Sequence, residues 1–273
     1  KTISHNHNNK PNKQKQHKED TTMYINPILK EILKTKRPTN NEAFCTAFTA
    51  SLLSKYGIDY EIDKSNNVIV DMGSDSCFTS HTDTVDNHLG KNKLHIENGV
   101  VTVKDGGVLG ADCGTGMYIM IRMILADVPG LYVFFASEEC GRIGSSKYSM
   151  PMGINRCISF DRKGTEDLVT YQSGQRGCSD AFADAFIAAF GLPFKKDPTG
   201  MFTDSYTFFD IVPECINLSV GYYDQHTKRE SQDLVFLESL IDACITMDWE
   251  ALPTERDPKK PEYLHNSWYG FNG

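Results

Sequence analysis

The feature that most constrains this chain is a set of apolar runs that each stop at an acid or a histidine. Residues 131–137 are apolar almost throughout and meet Glu138 and Glu139. Residues 157–160 meet Asp161 and residues 214–220 lead shortly to Asp224 and His226, while the short expected strand at 76–80, more polar than the others, meets His81. Short runs rich in aromatic and branched side chains suit strands buried on both faces. Between them lie stretches with apolar residues at helical spacing. Strands alternating with helices predict an α/β fold, with a mixed, largely parallel central sheet sandwiched by helices in three layers. In open sheets of this kind the ligand crevice lies beyond the carboxyl ends of the strands. The acids and histidines are therefore expected to converge although the chain separates them widely.

Helices are expected over residues 26–35, where Ile28, Leu29, Ile32 and Leu33 form a stripe, and over 41–56, capped by Asn40 or Asn41. Others are expected from about 114 to 126, at 145–148, over 178–190 and over 233–249. Further strands are expected at 59–63, 67–71 and 168–172. Residues 94–103 suit a two-stranded meander turning at Asn98-Gly99. Residues 1–22 are polar and almost free of apolar side chains, which predicts a disordered tail or tag. Residues 23–252 then form one domain, and the Pro- and charge-rich stretch 253–273 forms a loosely held C-terminal extension.

The 273 residues, 40% of them hydrophobic, are enough for one large domain with a well-buried core. A net charge of −8 disfavours a nucleic-acid partner, which would call for clustered Lys and Arg. No apolar run approaches the ~20 residues that span a bilayer, so no membrane role is expected. The eight cysteines are scattered singly, without ligand spacing, and read as reduced thiols of a cytoplasmic protein.

Five clusters carry chemistry. In Ser80-His81-Thr82-Asp83, His81 can ligate a metal while Asp83 holds the other ring nitrogen. In Leu109-Gly110-Ala111-Asp112-Cys113-Gly114, Asp112 starts a helix and alone would read as its N-cap. Glu138 and Glu139 are adjacent carboxylates at a buried strand end, costly unless paired or metal-bound. Asp161 closes another such strand. His226 in Gly221-Tyr222-Tyr223-Asp224-Gln225-His226 adds a second imidazole. Each cluster has a plain reading as a polar turn or strand end.

Taken in order, the series SHTDTVD, LGADCGTG, FFASEECGRIG, ISFD and SVGYYDQHT resembles the co-catalytic zinc exopeptidases. That superfamily includes aminopeptidases, peptidase T-like tripeptidases, glutamate-type carboxypeptidases and N-acyl amino acid deacylases. The resemblance covers residues 26 to 249. It implies two divalent metal ions, zinc by default with cobalt or manganese workable. His81 and Asp161 would bind one ion, Glu139 and His226 the other, and Asp112 would bridge them. Asp83 would orient His81, and Glu138 would be the general base. The chain departs from the family at Cys113, where a second Asp is usual. It also departs in the short interval between Asp161 and His226, where many relatives insert a lid domain.

The function expected on this basis is an aminopeptidase acting on peptides. The alternatives are a deacylase, amidase or carboxypeptidase acting on peptides or acyl amino acids with the same metal site, and an inactive metal-binding module. Candidate substrate residues are Asp204 or Asp224, for a free amine, and Arg176, for a free carboxylate. Gly200, Thr203 and Tyr206 are candidates to line a pocket. Absence of the lid points to a monomer.

Overall fold

The computed structural model describes residues 24–86 and 88–264, so the tail expected at 1–22 lies outside the described residues. Two helices come first, α1 (Pro27–Lys34) and α2 (Glu42–Lys55). Asn26 caps α1 by accepting the Ile28 N–H at 2.9 Å, and Pro27 fits the first helical turn because it needs no partner for the missing N–H. Strands β1 (Glu61–Ile62), β2 (Val68–Asp71) and β3 (Ser76–His81) follow, then helix α3 (Ala111–Leu125) and strand β4 (Leu131–Phe135). The rest comprises α4 (Ile143–Lys147), β5 (Arg156–Arg162), β6 (Asp167–Val169), α5 (Asp180–Phe190), β7 (Lys195–Asp197), β8 (Glu214–Ser219) and α6 (Leu234–Thr246).

The eight strands form one sheet in the order β7-β6-β8-β5-β3-β4-β2-β1. Its middle strands β8, β5, β3 and β4 are all parallel, while β6 meets β8, and β2 meets β4 and β1, antiparallel. The mixed, largely parallel sheet inferred from the apolar runs is therefore present. Alternation along the strands divides the core in two. Val68, Val70, Phe78, Tyr132, Phe134, Ile158 and Phe160 face a large cluster that also takes in residues of α1, α2, α3, α5 and α6. Ile69, Cys77, Leu131, Val133, Phe135, Cys157 and Cys215 face a smaller one, closed by Tyr148, Ile154 and the short 3-10 helix Asp204–Phe208. The second helical layer is thin.

A second, antiparallel sheet has no counterpart in the sequence reading beyond the expected meander. Leu94–Glu97 and Val100–Val103 do pair, with Asn98 and Gly99 both at positive φ in the turn. Ser231–Asp233 then adds beside Val100–Val103, and Tyr222–Tyr223 beside Ser231–Asp233. The expected strand at 168–172 is broken, because Tyr171–Gln172 leaves the sheet to pair with Gln175–Arg176.

Residues 253–264 are held more firmly than the loose extension expected. Arg256 is buried, and its guanidinium donates to the carbonyls of Phe209 at 2.8 Å and Val212 at 2.6 Å. Glu214, at the start of β8, accepts the main-chain N–H groups of Glu255 and Arg256 at 2.7 and 3.0 Å. All eight cysteines are free thiols. No helix among the described residues is long and apolar enough to cross a membrane.

Phe78 anchors the larger cluster. Its ring centroid lies 5.1 Å from Tyr132, 6.1 Å from Phe160 and 4.9 Å from Trp249, and the side chain is fully buried. Phe78→Ala is expected to lower unfolding free energy by about 3–5 kcal/mol, through lost burial plus a cavity that rigid neighbours cannot close. Urea denaturation followed by tryptophan fluorescence would measure it.

Candidate metal centre

The parallel strands deliver their ends to one place. His81 is the last residue of β3, Asp161 sits near the end of β5, and Asp112 lies where α3 begins, with a non-helical backbone at Asp112 and Cys113 before the regular helix. Glu138 and Glu139 follow β4. Adjacent side chains on a strand point to opposite faces, so two neighbouring glutamates reach one cavity only if the chain turns. It does so at Ser137, which adopts positive φ, with its hydroxyl donating to Glu42 at 2.8 Å. Positive φ is rare outside glycine, and the Ile143 and Gly144 N–H bonds to Ser137 and Ala136 hold the turn in place.

Helix α3 approaches the sheet closely where it starts. A Cβ on Gly116 would stand 2.4 Å from the Phe160 carbonyl oxygen and 2.8 Å from Ser80, so only glycine permits this approach. His226 comes from the small second sheet, on the loop joining Tyr222–Tyr223 to Ser231–Asp233.

The donor atoms converge in two groups that share Asp112. His81 Nε2 lies 3.0 Å from Asp112 Oδ1 and 3.6 Å from Asp161 Oδ1. His226 Nε2 lies 3.0 Å from Asp112 Oδ2 and 2.9 Å from Glu139 Oε1. One carboxylate thus presents a different oxygen to each imidazole. Tetrahedral bonds of about 2.0–2.2 Å place neighbouring ligand atoms roughly 3.3–3.6 Å apart, close to this spacing. Glu139 Oε1 is buried without an aligned hydrogen-bond donor, which suits an oxygen directed at a cation. His81 Nδ1 is 2.9 Å from the Asp83 main-chain carbonyl, an acceptor that takes the Nδ1 proton and leaves Nε2 free as a ligand. The residues present therefore fit divalent cations.

Asp83 is placed differently from the expectation. Its carboxylate is 3.5 Å from His81 Nδ1, farther than its own carbonyl, and accepts the Glu138 N–H at 3.1 Å. It spans the histidine and glutamate loops. Cys113, the departure from the family pattern, donates its thiol to the Phe160 carbonyl at 2.8 Å. Its sulfur and the ligand atoms of His81 and Asp161 all lie within 4.8 Å of one another. The Asp112–Cys113 peptide is cis.

The electrostatics are those of a crowd of acids. Burial, reinforced by the Asp112 charge, raises the Asp161 carboxyl. Burial pushes Glu138 up to about 9, with Asp161, Asp204 and Glu139 adding to it. Asp112 is also buried, but contact with His226 and His81 outweighs this and holds it well below the ordinary carboxylate range. Asp112 and Glu139 raise His226 to about 10. Burial opposes charge on His81, yet Asp112 and Asp161 prevail and raise its pKa well above the usual imidazole value.

Two residues with no signal in the sequence hold the Asp112 loop. Arg37 and Glu230 are both fully buried. Arg37 donates to the Thr82 carbonyl at 2.9 Å and the Gly110 carbonyl at 2.9 Å, joining the His81 and Asp112 loops. Glu230 accepts the N–H groups of Gly110 at 2.9 Å and Asp112 at 3.1 Å. Burial raises Glu230 to about 7, against these bonds.

A cavity of about 270 Å3 opens on the cluster, lined by Asp112, Glu138, Glu139, Asp161 and His226 together with residues of the loops around them. Of the substrate residues expected from sequence, Gly200 and Thr203 line it, but Arg176, Asp204 and Tyr206 do not. Arg176 is occupied by Asp180 at 3.2 Å and Glu262 at 3.0 Å and lies over the Tyr171 ring. Tyr206 packs edge-on against Phe202 and donates to Gln175. Asp204 is buried, and desolvation raises it to about 7.

No protein-family model matches the sequence, and no curated protein matches it. Solved structures do. The aminopeptidase PepT from Bacillus cereus superposes with a TM-score of 0.68 at 15% identity, over 80% of this chain and 95% of that one. A tripeptidase from Staphylococcus aureus gives 0.68 at 13% identity, with the same coverage. The TET1 peptidase of Pyrococcus horikoshii gives 0.60 at 16% identity, over 80% of this chain and 97% of that one. The chain has the aminopeptidase fold. This is the fold that the ordered motifs implied. The TET1 peptidase is described as assembling into a tetrahedron or a large octahedral shell, so the expectation of a monomer gains no support from aminopeptidase-fold proteins.

Two outcomes are expected of this aminopeptidase-fold chain. Without metal, His226 holds a proton at pH 7, because Asp112 and Glu139 raise it to about 10, and His81 is likewise raised well above the usual imidazole value. Ligands must shed protons to bind a cation. Metal binding should therefore release protons, and affinity should rise with pH through this range. Titration calorimetry in buffers of different ionisation enthalpy would count them. Separately, Glu230→Gln should weaken divalent-ion affinity about 10- to 100-fold, the usual cost of losing an outer partner of a ligand. Competition with a chromogenic chelator reads this directly.

Proposed function

We propose that the protein is a metal-dependent exopeptidase, an aminopeptidase that removes residues from the amino end of peptides. The observation that carries this reading is Asp112, which turns one oxygen to the His81 and Asp161 side and the other to the His226 and Glu139 side. A carboxylate shared in this way fits a pair of cations, and zinc is the natural occupant for a mixed imidazole and carboxylate set. The aminopeptidase and tripeptidase descriptions of the similar structures support the substrate class.

His81 and Asp161 would hold one ion, Glu139 and His226 the second, and Asp112 both. Bound divalent ions supply Lewis acidity toward the scissile carbonyl and make water a better acid. Glu138 lines the same cavity as Asp112, Glu139, Asp161 and His226. Its carboxylate takes the proton of the attacking water and passes it to the departing amine nitrogen. Neutralisation of the neighbouring acids by cations lowers the pressure on Glu138 to stay protonated and readies it as a base. Asp83 accepts the Glu138 N–H and so fixes the main chain that carries the base.

The test compares free-amine peptides, their N-acetyl forms and N-acyl amino acids, with zinc or cobalt supplied. Release of the first residue from free-amine peptides only is expected. A chelator should abolish it, and Glu138→Ala should reduce kcat by about 100-fold or more, the scale of a lost general base. Cleavage confined to acyl amino acids would replace the aminopeptidase by a deacylase. Unchanged turnover in Glu138→Ala would remove Glu138 from the mechanism.

A further inference from the structure

The cavity wall contains two adjacent cations, Arg162 and Lys163, with different surroundings. Arg162 is neutralised, its Nε 3.0 Å from Asp167 and its Nη2 2.7 Å from Asp197. Lys163 is exposed and takes part in none of the ion pairs formed among the described residues. Its main chain is fixed, because its carbonyl accepts the Ser219 hydroxyl at 2.7 Å.

Its position just past the end of β5 makes this lysine pertinent to the site. Asp161, Arg162 and Lys163 all line the cavity; Arg162 is spent on its two aspartates, and Lys163, the first residue past the strand, is not. Two residues of chain span at most about 7 Å. A peptide advances at most about 3.3–3.6 Å per residue. One or two residues beyond a bond placed at the Asp161 cluster would thus bring a terminal carboxylate abreast of Lys163. The cavity, at about 270 Å3, is near the lower end of the ~300–1,000 Å3 found for small-molecule pockets. Val169, Met201 and Phe202 supply its apolar lining.

We propose that Lys163 is a specificity-determining residue, whose ammonium receives the free carboxylate of a dipeptide or tripeptide lying across the acidic cluster. This rests on the exopeptidase reading above. The remaining charges of the cavity favour the same outcome. Its carboxylates face the cations and the substrate's amino end, and Lys163 is left to meet a negative group. Arg176, the cation suggested by sequence, is held elsewhere by Asp180 and Glu262.

The zinc-loaded full chain would be assayed on leucylglycine, leucylglycinamide and a leucine-led hexapeptide. The wild-type protein is expected to favour the free dipeptide over its amide, in kcat/KM, by roughly 10- to 100-fold, the span of one charge-assisted hydrogen bond. Lys163→Met should bring that ratio close to one, and Lys163→Arg should keep most of it. Lys195→Met, on an exposed pair with Glu166, is the control and should leave the ratio as in wild type. Equal use of acid and amide by the wild type, a ratio unmoved by Lys163→Met, or preference for the hexapeptide would overturn the proposal. Calorimetric binding of leucylglycine and its amide to zinc-loaded Glu138→Ala separates this from failure of the exopeptidase reading. No turnover of any peptide, with acid-selective binding that Lys163→Met removes, would sink that reading and leave the anchor standing. Turnover without acid selectivity would do the reverse.

Discussion

Asp112 is the point at which the parts of this molecule meet. Its two oxygens face two imidazoles drawn from different sheets, and its main chain is gripped from both sides by charges with no exposure to water. Arg37 takes the carbonyl of Gly110, and Glu230 takes the N–H groups of Gly110 and Asp112. Neither charge touches the other in a salt bridge; the polarised peptide between them links the two. Buried charges are tolerated only when their hydrogen-bonding capacity is used. Here it is spent on the main chain that sets the position of a ligand. The same guanidinium also holds the Thr82 carbonyl beside His81, so two of the ligand loops have one support.

The sheet was legible because its strands are apolar runs with polar stops. Buried strands need aliphatic and aromatic side chains on both faces, and the stops show where the chain leaves the sheet. Glu138, Glu139 and Asp161 stand out as candidates from that pattern together with the rule that crevices form at strand ends, whereas His81 and Asp112 were reached through the ordered motifs. The second sheet was not legible beyond its hairpin. Ser231–Asp233 is short and polar and gains its strand conformation from pairing with Val100–Val103, not from its own pattern. His226 depends on that sheet for its place, and sequence alone reached it through the ordered motifs.

Arg37 and Glu230 show a different limit. In the sequence each is an ordinary charged residue, and their partners are backbone groups, which leave no trace in residue identity. Arg176 failed for a related reason. The cation was visible in sequence, but the acids that occupy it, Asp180 on the following helix and Glu262 near the chain end, became neighbours only on folding. Lys163 has the opposite history. It stands out only after Arg162 is seen to be neutralised and the cavity wall is known.

The candidate ligands come from strand ends and loops that the chain visits far apart. About half of the sequence separates His81 from His226. Ions seated at Asp112 would join the large sheet to the small one, closing long loops of chain as a covalent staple does. Whatever binds the native arrangement and not the unfolded chain stabilises folding by mass action. Occupancy of such a centre and cohesion of the two sheets would therefore be one equilibrium observed from two ends: stripping the cations would loosen the hairpin that carries His226, and slackening that hairpin would release them.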